Sequence, residues 1–557
     1  MSSVPVPAPS RRAAWILGPI QDLTLFIATP VLVVPAVLLA LLRFESEQIR
    51  TFVLAFGAMG HNLPGMLRAY GDRALFRRFR WRFVLAPLVF FGVTLAFALQ
   101  RSNAIVLLAL LWAVWHAWMQ VYGFLRIYDA RVGSIDRRTA QLDFAMCCTW
   151  FGGALLLSDT RLYYVQEILI DFGVPPMTIG VIHALRIGTA VWIAIATGAY
   201  LWHTAARARA GAPPNNVKHL LMLTSVGMWW CAHFAMQDVL LGLIMFEVFH
   251  DVQYLAIVWL YNRRRVDTDP EVGGFARSLF RNSWGMIGVY IALVLAYGGF
   301  VPIARSAAGS DTAAALISTV ILTSALLHYY FDGFIWKVRE KSTRQALGLD
   351  SSSGHENRAV PAHVLKWLCF LVPCGFLWLM AQPVDPLDKA AALATSTPDS
   401  AEAQFKLGEA LNFMGRHRES LPALERSLVL LPNAPAVARN LALARLEVGK
   451  ELLAEGRRER AQKLLAKAHA VAPEVVGIDL NNAGLELLRK RELERAVAHF
   501  ESALAVQPDL AIAHLNLALA YRDTGRRDLA IRHARRGADL RPGDPKVAQL
   551  LRSLEHR

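Results

Sequence analysis

The segment FEVFHDVQYLAIVWLYNRRR, residues 246–265, decides how the first two thirds of the chain are interpreted. It is apolar enough to cross a membrane, and its three terminal arginines are typical of the inner boundary of a bilayer. Its first part nevertheless carries Glu247, His250, Asp251 and Gln253. Because a charge at the bilayer centre costs at least about 2.5 kcal/mol, such residues in a span indicate a function or a buried polar contact.

The composition divides the 557-residue chain into an apolar part and a charged part. Hydrophobic residues make up 55% of the whole, and apolar stretches long enough to span hydrocarbon recur as far as about residue 381. We predict eleven spans, at about 23–42, 48–68, 83–100, 104–125, 141–157, 178–203, 219–235, 239–261, 284–303, 313–336 and 363–381. Of these, 141–157 and 219–235 are the shortest and weakest.

The net charge of +15 reflects topology rather than nucleic-acid binding, and no nucleic-acid partner is expected. Most of the basic residues in the apolar part lie in short loops beside the spans, as the positive-inside rule predicts. The alternation of these loops predicts that the protein lies in the inner membrane of a bacterium, with its N-terminus in the cytoplasm. The lipid bilayer is therefore an expected partner. Eleven spans place the C-terminal part in the periplasm, whereas the loss of one weak span would place it in the cytoplasm.

Repeated segments follow the apolar part, and their ends are marked by Pro432, Pro473, Pro508 and Pro542. The intervals between these prolines are 41, 35 and 34 residues. Turn glycines precede the last helix of three segments, at Gly415, Gly456 and Gly525. The pattern resembles the tetratricopeptide repeat (TPR), whose period is about 34 residues. The longer interval predicts a lengthened first helix in the second repeat.

The predicted fold class is therefore all-α, a polytopic transmembrane helix bundle followed by a TPR α-solenoid. The predicted parts are an N-terminal tail (1–22), a transmembrane domain (23–381), a linker rich in Pro, Ser, Thr and Asp (382–400), and four repeats with a capping helix (401–557). A solenoid presents a concave face that typically binds a protein or peptide, and that partner is expected here. A solvated spacer is the alternative.

Four predicted spans carry a histidine at a similar depth, namely His61, His116, His250 and His328. Each precedes a basic residue of the predicted inner boundary by roughly 10–20 Å, at a rise of about 1.5 Å per residue. Each also has polar companions nearby, which are the supporting residues Asn62, Gln120 and Gln253 and the acidic residues Glu247 and Asp332. Asp251 lies about 100° around the helix from His250, so it is expected to point elsewhere.

One imidazole from each of four helices predicts a buried metal site, with iron or another transition metal as the cofactor. Glu247 precedes His250 by three residues, the spacing of di-iron carboxylate bundles, so Glu247 and Asp332 are candidate catalytic or bridging residues. Arg68 and Arg126 are candidates for holding the anionic head group of a substrate. The alternatives are haem held by paired histidines and polar contacts that only lock helices together.

The segments around the four histidines resemble those of an uncharacterised family of bacterial multi-pass membrane proteins. The patterns that carry the resemblance are GH, HxxxQ, HDxQY and HxxxDGFIWK. This resemblance covers most of 20–340 and implies no established activity. A fainter likeness to membrane carotenoid dioxygenases of the bacterial Brp/Blh type implies histidines on several spans around iron. The spacings differ from those enzymes, so no catalytic residue is carried across.

Three functions remain open from the sequence. The first is a metal-dependent membrane enzyme acting on a lipid or isoprenoid, with a TPR domain that binds a partner protein. The second is a non-enzymatic, membrane-anchored TPR scaffold or assembly factor. The third is a polyprenyl-phosphate glycosyltransferase or a transporter. The glycosyltransferase is disfavoured because its first outer loop would be large and acidic, whereas here that loop is about FESEQ, residues 44–48.

Overall fold

A computed structural model of the chain describes residues 14–100, 104–134, 136–171, 174–212, 215–236, 239–269, 272–336, 360–380, 384–542 and 545–555. The start of the predicted N-terminal tail, the predicted basic loop after residue 336 as far as 359, and the first residues of the predicted linker lie outside these ranges. Within them all regular structure is helical, as the fold class predicts. The chain forms two compact units, Met1–Pro383 and Val384–Arg557.

The first unit is built from long helices and from short ones that meet at breaks. Its α-helices are α1 (Pro19–Asp22), α2 (Thr29–Ala40), α3 (Ser46–Val53), α4 (Asn62–Gly71), α5 (Arg73–Leu99), α6 (Ala104–Arg131), α7 (Arg137–Leu157), α8 (Asp159–Asp171), α9 (Ile179–Arg209), α10 (Asn216–Trp230), α11 (Val239–Thr268), α12 (Gly274–Leu279), α13 (Trp284–Ser306), α14 (Asp311–Ile335) and α15 (Val360–Met380). Three π-helical segments join some of them, namely π1 (Leu23–Ile27), π2 (Leu54–Met59) and π3 (Cys231–Ala235).

Seven described helices are long and apolar enough to cross a membrane, and a bent pair, Pro19–Ile27 with Thr29–Ala40, raises the number to eight. The predicted number of eleven therefore stays a prediction. The predicted span 48–68 is divided among α3, π2 and α4, and the predicted span 219–235 changes from α10 to π3. A π-turn adds one residue to the hydrogen-bonded ring and turns the following chain, so neither segment is one straight helix.

Glycines explain how π2 packs so closely on α13. A Cβ at Gly298 would lie 2.0 Å from the carbonyl oxygen of Ala55, and one at Gly60 would lie 2.9 Å from that of Val294. Real Cβ atoms do not approach backbone oxygens this closely, so only glycine fits at both positions. The resulting backbone contact fixes the start of α4, where His61 stands.

The second unit consists of helix pairs. Its helices are α16 (Pro386–Ser396), α17 (Ala401–Phe413), α18 (His417–Leu430), α19 (Pro435–Ala454), α20 (Arg458–His469), α21 (Pro473–Arg489), α22 (Leu493–Val506), α23 (Ala511–Asp523), α24 (Arg527–Leu540) and α25 (Pro545–Glu555). The lengthened first helix predicted for the second repeat is confirmed, because α19 has 20 residues whereas α17 has 13. The segment predicted as a linker contains α16, whose residues Leu393 and Ala394 are buried.

Small residues of the first helix face large residues of the second helix in three repeats. A Cβ at Gly408 would meet Leu424, one at Gly449 would meet Leu465, and one at Gly484 would meet Phe500, all within 2.4–2.8 Å. In each pair the large residue follows the glycine by 16 positions. This contact lets the two helices of a repeat cross closely.

Candidate metal centre

Four helices bring the four predicted histidines together in the first unit. His61 is the N-cap of α4, His116 lies on α6, His250 on α11 and His328 on α14. The ring centroids form a closed circuit, with His61–His328 at 4.5 Å, His328–His116 at 4.8 Å, His116–His250 at 5.1 Å and His250–His61 at 5.4 Å. The predicted convergence of the histidines is therefore present in the structure.

The spacing of the ring nitrogens suits a single metal ion after a small contraction. One nitrogen of each ring lies within 4.8 Å of the corresponding nitrogens of the other three. Nitrogens bound to one ion lie roughly 3–4 Å apart, because metal–imidazole bonds are about 2.0–2.1 Å long. The Nε2 of His116 is buried and has no hydrogen-bond partner among the described residues. Such an atom is costly unless something binds it.

His61 is oriented so that one nitrogen is free to face the other rings. Its Nδ1 lies 3.1 Å from the carbonyl oxygen of Gly57 and 2.8 Å from Oδ1 of Asp251. Two acceptors on one side require the proton to sit on Nδ1. Its Nε2 then offers a lone pair toward the cluster, where it lies 3.0 Å from Nε2 of His328. A carboxylate behind a histidine in this way fixes the tautomer of a metal ligand.

Asp251 was not among the predicted site residues, because its helical angle turns it away from His250. The structure brings a neighbouring segment to that side of α11. That neighbour is π2, where a Cβ at Gly57 would lie 2.4 Å from Oδ2 of Asp251. Acceptor atoms of His61, Glu247 and Asp251 lie within 4.8 Å of one another. Glu247 therefore stands beside the cluster, next to Asp251.

Asp332 is held on one oxygen and faces the histidines with the other. Its Oδ1 accepts hydrogen bonds from the hydroxyl of Tyr254 at 3.1 Å and from Nε1 of Trp336 at 3.0 Å. Its Oδ2 lies 3.9 Å from Nε2 of His116 and 3.8 Å from Nε2 of His328. The arrangement suits a proton acceptor or a further ligand whose position is fixed in advance.

The supporting residues hold helices together around the cluster. Gln120 donates from Nε2 to the carbonyl oxygen of His250 at 2.9 Å and to Oε1 of Gln253 at 3.2 Å. Gln253 donates in turn to the carbonyl oxygen of Phe26 at 2.6 Å, and Asn62 donates to Oγ of Ser324 at 3.3 Å. These bonds tie α6 to α11, α11 to π1, and α4 to α14.

The two candidate head-group arginines differ in their surroundings. Arg126 pairs with Asp129 and Asp143, and Lys218 lies 3.0 Å from each of the same two carboxylates. Two cations and two anions thus form a balanced and mostly buried network, which no sequence pattern predicted. Because its Nη2 is already paired with both carboxylates, Arg126 suits a head-group site less well than Arg68 does. Arg68 is buried between the rings of Tyr261 and Trp336, each centred 4.0 Å from its Cζ.

Comparisons with known proteins address the repeat unit. Residues 481–545 match the tetratricopeptide repeat family, and no curated protein matches the chain. Solved structures similar to the chain include a MamA protein, at 19% identity over 28% of this chain and 80% of that one, with a TM-score of 0.19. A MamA fragment from Desulfovibrio magneticus RS-1 has 19% identity over 30% and 84%, with a TM-score of 0.18.

A thermophilic TPR protein in Thermus thermophilus has 19% identity over 35% of this chain and 98% of its own, with a TM-score of 0.15. The family match falls entirely within the second unit, so the resemblances proposed for 20–340 receive no support from it. The repeat prediction from the proline intervals agrees with the match. The second unit accordingly contains tetratricopeptide repeats, a module that binds other proteins.

Proposed function

We propose that the protein is an integral membrane metalloprotein whose four-histidine cluster binds one transition-metal ion. The observation that carries the proposal is the closed circuit of His61, His116, His250 and His328, in which Nε2 of His116 is buried and has no hydrogen-bond partner among the described residues. Imidazole suits iron, copper, zinc and nickel. Three carboxylates, Glu247, Asp251 and Asp332, surround the rings and favour a cation there. The bound ion would supply Lewis-acid or redox chemistry to a lipid or isoprenoid substrate.

Exposed apolar surface supports a membrane location. On α9, Ile187 is 67% exposed, Trp192 57% and Trp202 73%, and only 17% of its most apolar stretch is buried within the protein. A contiguous apolar face of this length is unfavourable in water and favourable in lipid. The positive-inside pattern gives a cytoplasmic N-terminus and, with eleven spans, a periplasmic repeat unit in a bacterial inner membrane. Fusions of alkaline phosphatase and of green fluorescent protein to the C-terminus test this, because only the former is active in the periplasm.

Metal analysis of the purified full-length protein tests the metal site. We expect about one transition-metal ion per chain, and less than a tenth of that in the double variant His250→Ala, His328→Ala, because a site that loses two of four ligands no longer encloses the ion. His183→Ala is the matched control, since His183 is exposed on α9. A wild-type protein that carries no ion after growth with added iron, zinc or copper would refute the metal site.

A second candidate is a membrane-anchored scaffold, which the TPR match at 481–545 favours. In that case the cluster only locks helices together, and the repeats perform the function by binding a protein partner. Deletion of 384–557 separates the two candidates. The metalloprotein keeps its metal without the repeats, whereas the scaffold has no metal to keep and loses its co-purifying partner.

A further inference from the structure

A cavity of about 560 Å³ lies where α4 ends beside α11 and α12. Its polar lining is Arg68, Asp72, Arg73, Asn262 and Arg265, and the rest is mainly apolar, with Phe275 and Phe280 among the lining residues. Arg265 pairs with Asp72 and with Asp269, so Arg68 and Arg73 supply the positive charge that favours an anionic ligand. The apolar walls favour a ligand that also has a hydrocarbon part. The cavity thus has the mixed character of a site for an amphiphile.

Arg68 is the lining arginine whose donors are not used. Arg265 pairs with Asp72 and with Asp269, so its charge is already compensated. Arg68 is only 5% exposed, and its Nε and Nη1 have no hydrogen-bond partner among the described residues. Tyr261 and Trp336 cover the guanidinium faces, so only N–H groups along its edges are left to bind a ligand. Each edge pairs Nη2 with either Nε or Nη1, and such a pair binds an oxyanion in a bidentate manner.

We propose that this cavity binds the phosphate-type oxyanion head group of an amphipathic ligand, with Arg68 as its anchor. The inference deepens the proposed function, on which it rests for the claim that the ligand is the substrate. Arg68 follows His61 by seven residues, a rise of roughly 10 Å along α4. A hydrocarbon chain that extends from a head group at Arg68 along α4 therefore reaches the depth of the cluster after roughly 10 Å.

Native mass spectrometry of the full-length protein in detergent tests the site, with dioleoyl phosphatidic acid as the probe and dioleoyl phosphatidylcholine as the reference lipid. We expect the wild type to retain phosphatidic acid preferentially. In Arg68→Gln retention should fall roughly tenfold, because one bidentate, charge-assisted contact is lost. Arg80→Gln is the matched control, since Arg80 is exposed and lies outside the cavity lining.

Gly274→Leu provides a second test that leaves Arg68 intact. Gly274 lines the cavity, and a Cβ there meets no atom within 4 Å, so a leucine at this position fits without strain and narrows the cavity wall. It should reduce retention as Arg68→Gln does, and it decides the question if Arg68→Gln does not fold. Inorganic phosphate added as a competitor identifies the source of the ligand. Displacement of the lipid indicates that the phosphate group alone is recognised, and retention indicates that the lipid body is required.

Equal retention in the wild type, Arg68→Gln and Gly274→Leu would overturn the inference, as would an equal loss in Arg80→Gln. The metal content of each sample keeps the two proposals separate. Arg68→Gln should retain the metal, because Arg68 is not a ligand. A wild type without metal that still selects phosphatidic acid refutes only the metalloprotein. A metal-loaded wild type without lipid preference refutes only the head-group site.

Discussion

Nδ1 of His61 lies 2.8 Å from Oδ1 of Asp251, although the two residues belong to different segments and only His61 was predicted as a site residue. The contact turns Nε2 of His61 toward His328. It gives the cluster a supporting carboxylate outside the ring of imidazoles, which is how many proteins raise the basicity of a metal-binding histidine. The consequences of this contact can be measured apart from those of the four histidines.

Asp251→Asn should weaken metal binding without removing the site. Loss of a carboxylate behind a histidine ligand typically lowers metal affinity by about 10–100-fold. Titration of the metal-free protein with zinc should therefore give a weaker dissociation constant and an unchanged stoichiometry. Asp267→Asn is the control, because Asp267 lies on the same helix and is exposed. Equal affinity in the two variants would show that Asp251 does not support a ligand.

Gly298→Ala should destabilise the first unit strongly. The added Cβ would lie 2.0 Å from a backbone oxygen of π2, and backbone cannot move aside as a side chain can. Overpacking costs about 1–3 kcal/mol even where side chains can adjust. Thermal unfolding followed by fluorescence-detected gel filtration should show a lower midpoint. Gly288→Ala on the same helix meets no atom within 4 Å and should unfold like the wild type.

Arg491→Gly should stabilise the repeat unit. Arg491 has φ of 62°, while Gly415, Gly456 and Gly525 occupy the equivalent turns at 73°, 78° and 77°. A left-handed conformation costs a residue with a Cβ about 1–2 kcal/mol. Glycine removes this cost, but part of the gain is lost because an unfolded chain with glycine has more conformational freedom. Urea unfolding of residues 384–557 should give a gain of up to about 1 kcal/mol. The neighbouring change Lys490→Gly, at a turn residue with φ of −79°, should bring no gain.

The stability of the repeat unit should fall as the pH falls below about 6.5, the ordinary pKa of histidine. Burial, followed by the charges of His514 and Arg532, lowers the pKa of His533 in the folded state, while Glu501 opposes the shift. The unfolded chain then binds more protons, so the stabilisation is complete above about pH 6.5 and is lost as the pH falls through the folded pKa.

Urea unfolding of residues 384–557 between about pH 7.5 and 5 measures this dependence. His533→Gln should show a shallower fall than the wild type. A residual slope is expected, because burial also lowers the pKa of His499. Identical slopes in the two proteins would show that His533 does not contribute.

Much of the repeat unit could be predicted from the sequence, because its signals are local. The intervals between prolines predict the repeat lengths, and the glycines predict the turns between the helices of a repeat. The left-handed turn at Arg491 could not be predicted, because an arginine is not typical of that conformation. The residues of α16 were taken for a linker on composition, although their apolar positions Leu393 and Ala394 pack inside.

The first unit was harder to predict beyond its histidines. The depth of a residue along a span follows from counting residues, and this count predicts that the four histidine rings lie at a similar depth. The rotation of one helix relative to another does not follow from either helix alone, and for this reason the contact between Asp251 and His61 was not predicted. The balanced network of Arg126, Asp129, Asp143 and Lys218 joins three helices and has no local pattern. The π-helical segments interrupt helices within apolar stretches, and in the sequence these stretches look the same as those of uninterrupted spans.

The glycine contacts of the repeats have a consequence for recognising such units elsewhere. Gly408, Gly449 and Gly484 are required because Leu424, Leu465 and Phe500 are large. At the corresponding positions of the fourth repeat stand Ala518 and Ala534, both fully buried, and neither needs a glycine opposite. A repeat of this kind is therefore better recognised by the combined size of two residues 16 positions apart than by a glycine at one position. Where the first residue is not glycine, the residue 16 positions later is small.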